Sequence, residues 1–239
     1  MIGKILLALG LTMCLAQAQQ QKIKTALVTY ALGGPPGGFK AFFRNGEEIK
    51  PFAANSSGLG EPFRYEGPRR FEIRESMEAF EAPPAGQQAK PPLAFVDLPE
   101  NSNNILVLAA DAGQGKIRLL AYDVSSANLR AGDYRIFNFS NSTVEINIGK
   151  QKLVLARAQN EMMKDAAWQD PKPQALPLLI RMFDGKAMKA VKQSPWEHWP
   201  TKRTVMFLFD GAHKGEPLGI MSFNVEPPPR EQAGAAVPQ

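Results

Sequence analysis

Thr143-Val144-Glu145-Ile146-Asn147-Ile148-Gly149-Lys150-Gln151-Lys152-Leu153-Val154-Leu155 is the stretch on which the fold turns. Val144, Ile146 and Ile148 alternate with Thr143, Glu145 and Asn147, a period of two that gives a strand one buried and one wet face. Gly149-Lys150 reverses the chain, and Leu153 and Leu155 resume the apolar face. Residues 116–122 and 129–139, just upstream, read as further strands, so the centre of the chain is an antiparallel meander.

The same grammar extends in both directions. Residues 25–31 form the first strand, which ends at Gly33-Gly34-Pro35-Pro36-Gly37-Gly38, a run that no ladder tolerates. Residues 39–44 lead through Asn45-Gly46, a strong hairpin signal, into 47–52. Phe71 and Ile73 alternate with charges, residues 76–80 suit one helical turn, and strands resume at 93–98 and 105–110. Met162, Met163 and Ala166 stand near helical spacing, which predicts one short helix over 156–168, before Asp170-Pro171. Residues 178–183 pair with 186–191 through Asp184-Gly185. Thr204-Val205-Met206-Phe207-Leu208-Phe209 is apolar on both faces, which predicts a central strand covered on each side, and 218–225 return antiparallel to it.

The expected fold class is therefore all-β, an antiparallel β-sandwich with at most one short helix. Pro83, Pro84, Pro91 and Pro92 mark residues 81–92 as a linker between two sandwich-like units, an N-terminal one at 22–80 and a C-terminal one at 93–226. The alternative is one continuous sandwich, because a unit of so few residues without disulfides is marginal alone. Glu66-Gly67-Pro68-Arg69-Arg70-Phe71 and Ala131-Gly132-Asp133-Tyr134-Arg135-Ile136 each place a glycine turn three residues before an arginine, a faint internal repeat. The Pro-, Ala- and Gln-rich tail at 227–239 is expected to be disordered.

The N-terminus carries an address. Lys4 precedes an apolar run at 5–15, and Ala16-Gln17-Ala18 offers a small-x-small cleavage site before Gln19. This predicts a signal peptide at 1–18 and an extracytoplasmic mature chain, in the periplasm or at the cell surface. The run falls short of the ~20 residues that span a bilayer, and no second run of its length follows. No transmembrane segment is expected after cleavage. Cys14, the single cysteine, follows Met13, which is too large for a lipoprotein acylation box, so lipidation is not expected and the mature chain has no thiol. The net charge of +5 becomes +4 without Lys4, and the basic residues are dispersed, so no nucleic-acid partner is expected.

Chemical motifs are sparse. Two histidines, His198 and His213, fall short of a metal ligand set, and neither metal nor cofactor is expected. Gly113-Gln114-Gly115-Lys116 lacks the glycine and hydroxyl residue of a phosphate loop, having Ala110 and Ile117 instead. No Gly-x-Ser-x-Gly elbow is present, and the acids near Glu47 and Glu72 read as solvated faces. The most distinctive short segment is Trp196-Glu197-His198-Trp199-Pro200. Trp196, Glu197 and Trp199 are the candidate ligand-binding residues, able to form a platform for a sugar ring or an aromatic side chain if the indoles are exposed and coplanar. Buried indoles would instead close the end of a sandwich. Arg64, Arg69, Arg70 and Arg74 are candidate anion-binding residues, with a charge-guarded edge strand as the competing reading.

The segment Leu129-Arg130-Ala131-Gly132-Asp133-Tyr134-Arg135-Ile136-Phe137-Asn138-Phe139-Ser140, followed by 144–155, resembles a group of uncharacterised bacterial exported β-sandwich proteins. Those have a similar x-Ala-Gly-Asp-x-Arg-x-x-Asn-x-Ser strand and then a short hairpin. Thr201-Lys202-Arg203-Thr204-Val205-Met206-Phe207 is similar to their last hairpin. The resemblance implies export and a sandwich, and it carries no activity. The functional expectation is an exported, non-catalytic binding or structural protein of the bacterial envelope, with an envelope protein or a polysaccharide as partner. The alternative is a carbohydrate-binding module or a carboxylate-based hydrolase that uses the Trp196–Trp199 segment.

Overall fold

The computed structural model describes residues 22–84, 86–164, 172–211 and 215–227. The expected signal peptide and the tail from 228 lie outside the described residues. The first eight strands are β1 (Lys22–Leu32), β2 (Phe39–Asn45), β3 (Glu48–Ala54), β4 (Phe63–Pro68), β5 (Arg70–Ile73), β6 (Ala94–Asp97), β7 (Asn104–Asp111) and β8 (Ile117–Asp123). The second eight are β9 (Tyr134–Asn138), β10 (Val144–Ile148), β11 (Gln151–Leu155), β12 (Asn160–Met163), β13 (Gln174–Phe183), β14 (Met188–His198), β15 (Thr204–Asp210) and β16 (Leu218–Asn224). One 3₁₀ turn, Glu78–Phe80, occupies the stretch read as a helical turn. The chain is all-β, as its patterning predicts.

The strands form two sandwiches of one topology. In the first, the sheet β4-β1-β7-β8 faces β3-β2-β5-β6, in which β2 and β5 are joined by a bridge between Phe42 and Arg74. In the second, β12-β9-β15-β16 faces β11-β10-β13-β14. Adding eight to each strand number converts the first arrangement into the second. Both halves share a parallel central pair, β1 with β7 and β9 with β15, within otherwise antiparallel ladders. Both also turn their second and third strands through a two-residue loop that begins with a left-handed glycine, Gly46 at φ +62° and Gly149 at φ +58°. A β-carbon is strained in that conformation, so glycine is the residue the turn selects.

Each half has its own core. Leu27, Phe43, Phe52, Phe71, Ile73, Ile105 and Val107 fill the first, and Ile136, Val144, Ile146, Ile180, Met206 and Leu208 fill the second. A third cluster lies between the two inner sheets, where Val28, Tyr30, Leu106 and Leu108 meet Phe137, Val205, Phe207 and Val225. This explains the strands that are apolar on both faces. β1, β7 and β15 are each sandwiched between their own core and the shared contact. Polar stitches cross the same contact: the Asn104 amide donates to the Glu226 carbonyl at 3.1 Å, and the Arg203 guanidinium donates to the Val124 carbonyl at 2.9 Å.

Three expectations are corrected. Residues 81–92 join β5 to β6, two paired strands of one sheet, so they are a surface connection, and the passage between halves falls at residues 124–133. The helix expected at 156–168 is replaced, over its described part, by a turn with Ala158 at φ +60° and then by β12, which pairs with β9. Helix-forming Met162 and Met163 yield to an open sheet edge that needs a partner. The repeat is real as topology, but its two signature segments are not equivalent: Arg70 begins β5, whereas Arg135 lies in β9, whose counterpart is β1.

The motif around Gly132 proves to be architectural. Asp133 accepts the Arg130 N–H at 3.0 Å to close a turn, and the Arg135 guanidinium donates to the Asn160 side-chain oxygen at 2.8 Å. The fully buried Asn138 amide donates to the Ser142, Leu155 and Ala156 carbonyls while its oxygen accepts the Ser140 hydroxyl. Buried loop carbonyls that would otherwise lack partners are thereby satisfied.

Candidate functional site

The inner face of the second sandwich changes character at one end. Along β16, Leu218 and Ile220 join the core, and the next positions on that face are Ser222 and Asn224. Along β15, Met206 and Leu208 are core residues, and Thr204 ends the same face. Register places Tyr134, Thr204 and Asn224 in one row across β9, β15 and β16. The long strand β14 brings Trp196 to that end from the opposite sheet, with His198 two residues on.

A cleft of about 280 Å³ opens there, between β14 and β16. Trp196, Glu197 and Trp199 line it on one side, and Tyr134, Thr204, Ser222, Phe223 and Asn224 line it on the other. The three candidates from the sequence are thus brought together. Their geometry is not that of two coplanar exposed rings: Trp196 is half-buried against the core, while Trp199, beyond the strand end, is 41 % exposed. Tyr134, Thr204, Ser222 and Asn224 escaped the sequence reading. The signal that could have found them is the appearance of polar residues at inward-facing positions of otherwise apolar strands.

The floor of the cleft is held by a short relay. The Trp196 indole N–H donates to the Tyr134 hydroxyl at 3.2 Å, and that hydroxyl lies 2.8 Å from Nδ1 of His198. His198 is fully buried, and burial pushes its pKa below the ordinary imidazole value, favouring the neutral ring. A neutral ring with an unprotonated Nδ1 accepts the tyrosine O–H, which leaves the tyrosine oxygen free to accept the indole N–H. The three side chains therefore fix one another in place. Glu197 is the single carboxylate that lines the cleft among the described residues.

The four arginines do not converge. Arg64 is exposed on β4 and lines a separate hollow of about 510 Å³, where the ion pairs Lys24–Glu66 and Lys50–Glu48 already match charge with charge. Arg69 donates to the Leu98 carbonyl at 3.0 Å and pairs with Glu100. Arg70 lies over the Phe95 ring at 3.5 Å. Arg74 pairs with Glu72 at 2.8 Å and donates to the Ala79 and Lys90 carbonyls at 2.8 and 2.9 Å. Arg69, Arg70 and Arg74 therefore hold β5, β6 and the connection between them.

A third hollow, of about 940 Å³, covers the outer face of β13 and β14. Beside it Glu145 accepts from Lys152 at 2.7 Å, from Asn147 at 3.2 Å and from Arg181. These partners hold its carboxyl at about 2 against an ordinary 4.5. Its charge is satisfied from within the sheet. Among the described residues no cluster of three or more His, Cys, Asp or Glu is placed to hold a metal ion, and no helix is long and apolar enough to cross a membrane. No protein-family model matches the chain, and no curated protein matches it in sequence.

Proposed function

We propose that this chain is an exported, non-catalytic binding protein of the bacterial envelope, and that its ligand enters the cleft between β14 and β16. One contrast carries the reading. In the first half the counterpart strands β6 and β8 pack together, whereas in the second half the same seam is open and lined by an exposed indole, hydroxyls, an amide and a carboxylate. Side chains that grip a ligand need support that locks their rotamers, and the Trp196–Tyr134–His198 relay supplies it from behind. Function is read here from a site, because a sandwich alone implies none. Hydrolysis by carboxylates takes two of them on opposite sides of the scissile bond. Glu197 lines the cleft without a second acid among the described residues, which favours binding over cleavage. Export rests on the segment from Lys4 to Ala18.

The test is a fluorescence titration of the mature chain with fractionated envelope extract, with separate polysaccharide and protein fractions, followed by chromatography of the recovered polysaccharide. A saturable change in tryptophan emission, lost in Trp199→Ala, with the polysaccharide returned intact, is the expected result. Shortened products would overturn the non-catalytic reading, and a response indifferent to Trp199→Ala would place the site elsewhere. Mass spectrometry of the extracytoplasmic fraction should find a mature chain beginning at Gln19; a cytosolic chain retaining Met1 would refute export.

A further inference from the structure

We infer that the cleft recognises a single pyranose ring, neutral or amino-bearing, and discriminates against uronic acids. The inference rests on the reading that this cleft is the binding site, and it assigns the class of ligand from the chemistry of the walls. At about 280 Å³ the cleft lies at the lower edge of the ~300–1,000 Å³ typical of small-molecule sites, which suits one ring rather than an oligomer bound along its length.

The walls divide into one aromatic face and one polar row. Trp199 presents an exposed indole, the side chain whose broad apolar face stacks on the C–H face of a sugar. Opposite it, Thr204, Ser222 and Asn224 carry groups that both donate and accept, matching ring hydroxyls that do the same. Thr204 and Asn224 are cross-strand neighbours with their side-chain oxygens 3.4 Å apart, so the two are presented as a pair. A ligand with a single donor or acceptor would leave most of this row unmatched.

Charge narrows the class further. Glu197 is exposed and, among the described residues, is the single ionisable acid or base lining the cleft apart from Tyr134, whose hydroxyl is engaged by Trp196 and His198. Its carboxylate is therefore the one formal charge among the described residues that line the cleft. A carboxylate or phosphate on the ligand would be repelled, a hydroxyl would be accepted by Glu197, and an ammonium would be attracted.

Isothermal titration calorimetry of the full mature chain at pH 7 with methyl β-glucoside, glucosamine and glucuronic acid tests the assignment. Saturable binding is expected for the first two, with glucuronic acid weaker by roughly tenfold or more, the factor that ~1.4 kcal/mol of repulsion gives. Glu197→Gln should bring the three sugars within about threefold of one another, because it removes the charge and keeps the shape. Trp199→Ala and Asn224→Ala should each weaken methyl β-glucoside by roughly tenfold while the far-UV circular dichroism and the melting temperature stay close to those of the parent chain. A preference for glucuronic acid would overturn the charge argument and the class with it. If none of the three sugars binds while the Trp199-dependent response to envelope extract persists, the class is wrong and the site stands. If both are absent, the site itself is refuted.

Discussion

Phe207→Ala is the sharpest test of how the two sandwiches are joined. Phe207 is fully buried between the inner sheets; its ring stacks on Tyr30 at 4.7 Å with a 3° tilt and lies 5.2 Å from Phe137 and 6.1 Å from Phe223. Tyr30 belongs to the first half and the other two to the second, so this ring is shared. Truncating a buried phenylalanine costs roughly 3–5 kcal/mol, the sum of lost transfer energy and the cavity left behind. Here the cavity walls are side chains fixed on two hydrogen-bonded sheets, which limits collapse and favours the upper part of that range, about 4–5 kcal/mol. At roughly 2–4 °C per kcal/mol for a chain of this size, the melting temperature should fall by about 8–20 °C. Urea unfolding followed by tryptophan emission reports on Trp196 and Trp199 in the second half, and hydrogen exchange of peptides from β7 reports on the first. Both signals should shift together. A loss under about 1 kcal/mol, or a fluorescence shift with β7 protection unchanged, would refute the claim that the shared cluster couples the halves.

Burial holds the folded-state pKa of His198 below its ordinary value, so the unfolded chain takes up that proton first as the pH falls. Stability should be level above about pH 6.5 and decline below it towards the folded-state pKa, with a slope of at most about 1.4 kcal/mol per pH unit; an unaltered decline in His198→Gln would refute the assignment. Glu145 acts with the same sign at lower pH: its carboxyl, held at about 2, stabilises the fold above the unfolded value of 4.5 and loses that contribution as the pH falls towards 2. Acid unfolding of Glu145→Gln should therefore start from a less stable chain and show a shallower decline between those values. Arg74→Ala removes the donors to the Ala79 and Lys90 carbonyls, so limited proteolysis should cut first within residues 75–92 while tryptophan emission stays native. Equal cutting of wild type and variant there would show that the arginine does not hold the connection.

The parts of the fold legible in the sequence are those whose cause is local. Thr204–Phe209 announces a doubly covered strand because both of its faces are apolar, and Ile148-Gly149-Lys150-Gln151 announces a hairpin because the turn needs its glycine. The errors arise where distant pairing decides. Proline in 81–92 reports that this stretch is solvated, which is true of a long loop within a sandwich as much as of a linker. Residues 160–163 have helical preference as an isolated peptide, and the edge of β9 overrides it. Trp196, Glu197 and Trp199 drew attention by composition alone. Their polar counterparts on β15 and β16 stayed hidden because sequence places them at strand ends without saying that those ends meet β14.

The two halves also show why the seam between β14 and β16 opens while its counterpart between β6 and β8 closes. In the first sandwich the first inward-facing rung of the parallel pair is Leu27 beside Ile105, both fully buried, followed across the sheet by Asp123. Asp123 is capped by the Ser102 hydroxyl at 2.7 Å and by the Ser125 N–H at 2.8 Å, so that end closes on itself. The corresponding rung of the second sandwich is Tyr134 beside Thr204, followed by Asn224. Apolar side chains at this rung draw the facing sheet down to exclude water; here Tyr134 is buried with its hydroxyl held by Trp196 and His198, while the Thr204 hydroxyl and the Asn224 amide line the seam between β14 and β16, which stays open. The same topology thus yields a closed seam where the rung is Leu-Ile-Asp and an open, aromatic-lipped hollow where it is Tyr-Thr-Asn. The difference lies in three side chains of one rung, and it is there that a frame otherwise devoted to its own packing leaves polar groups lining an open seam.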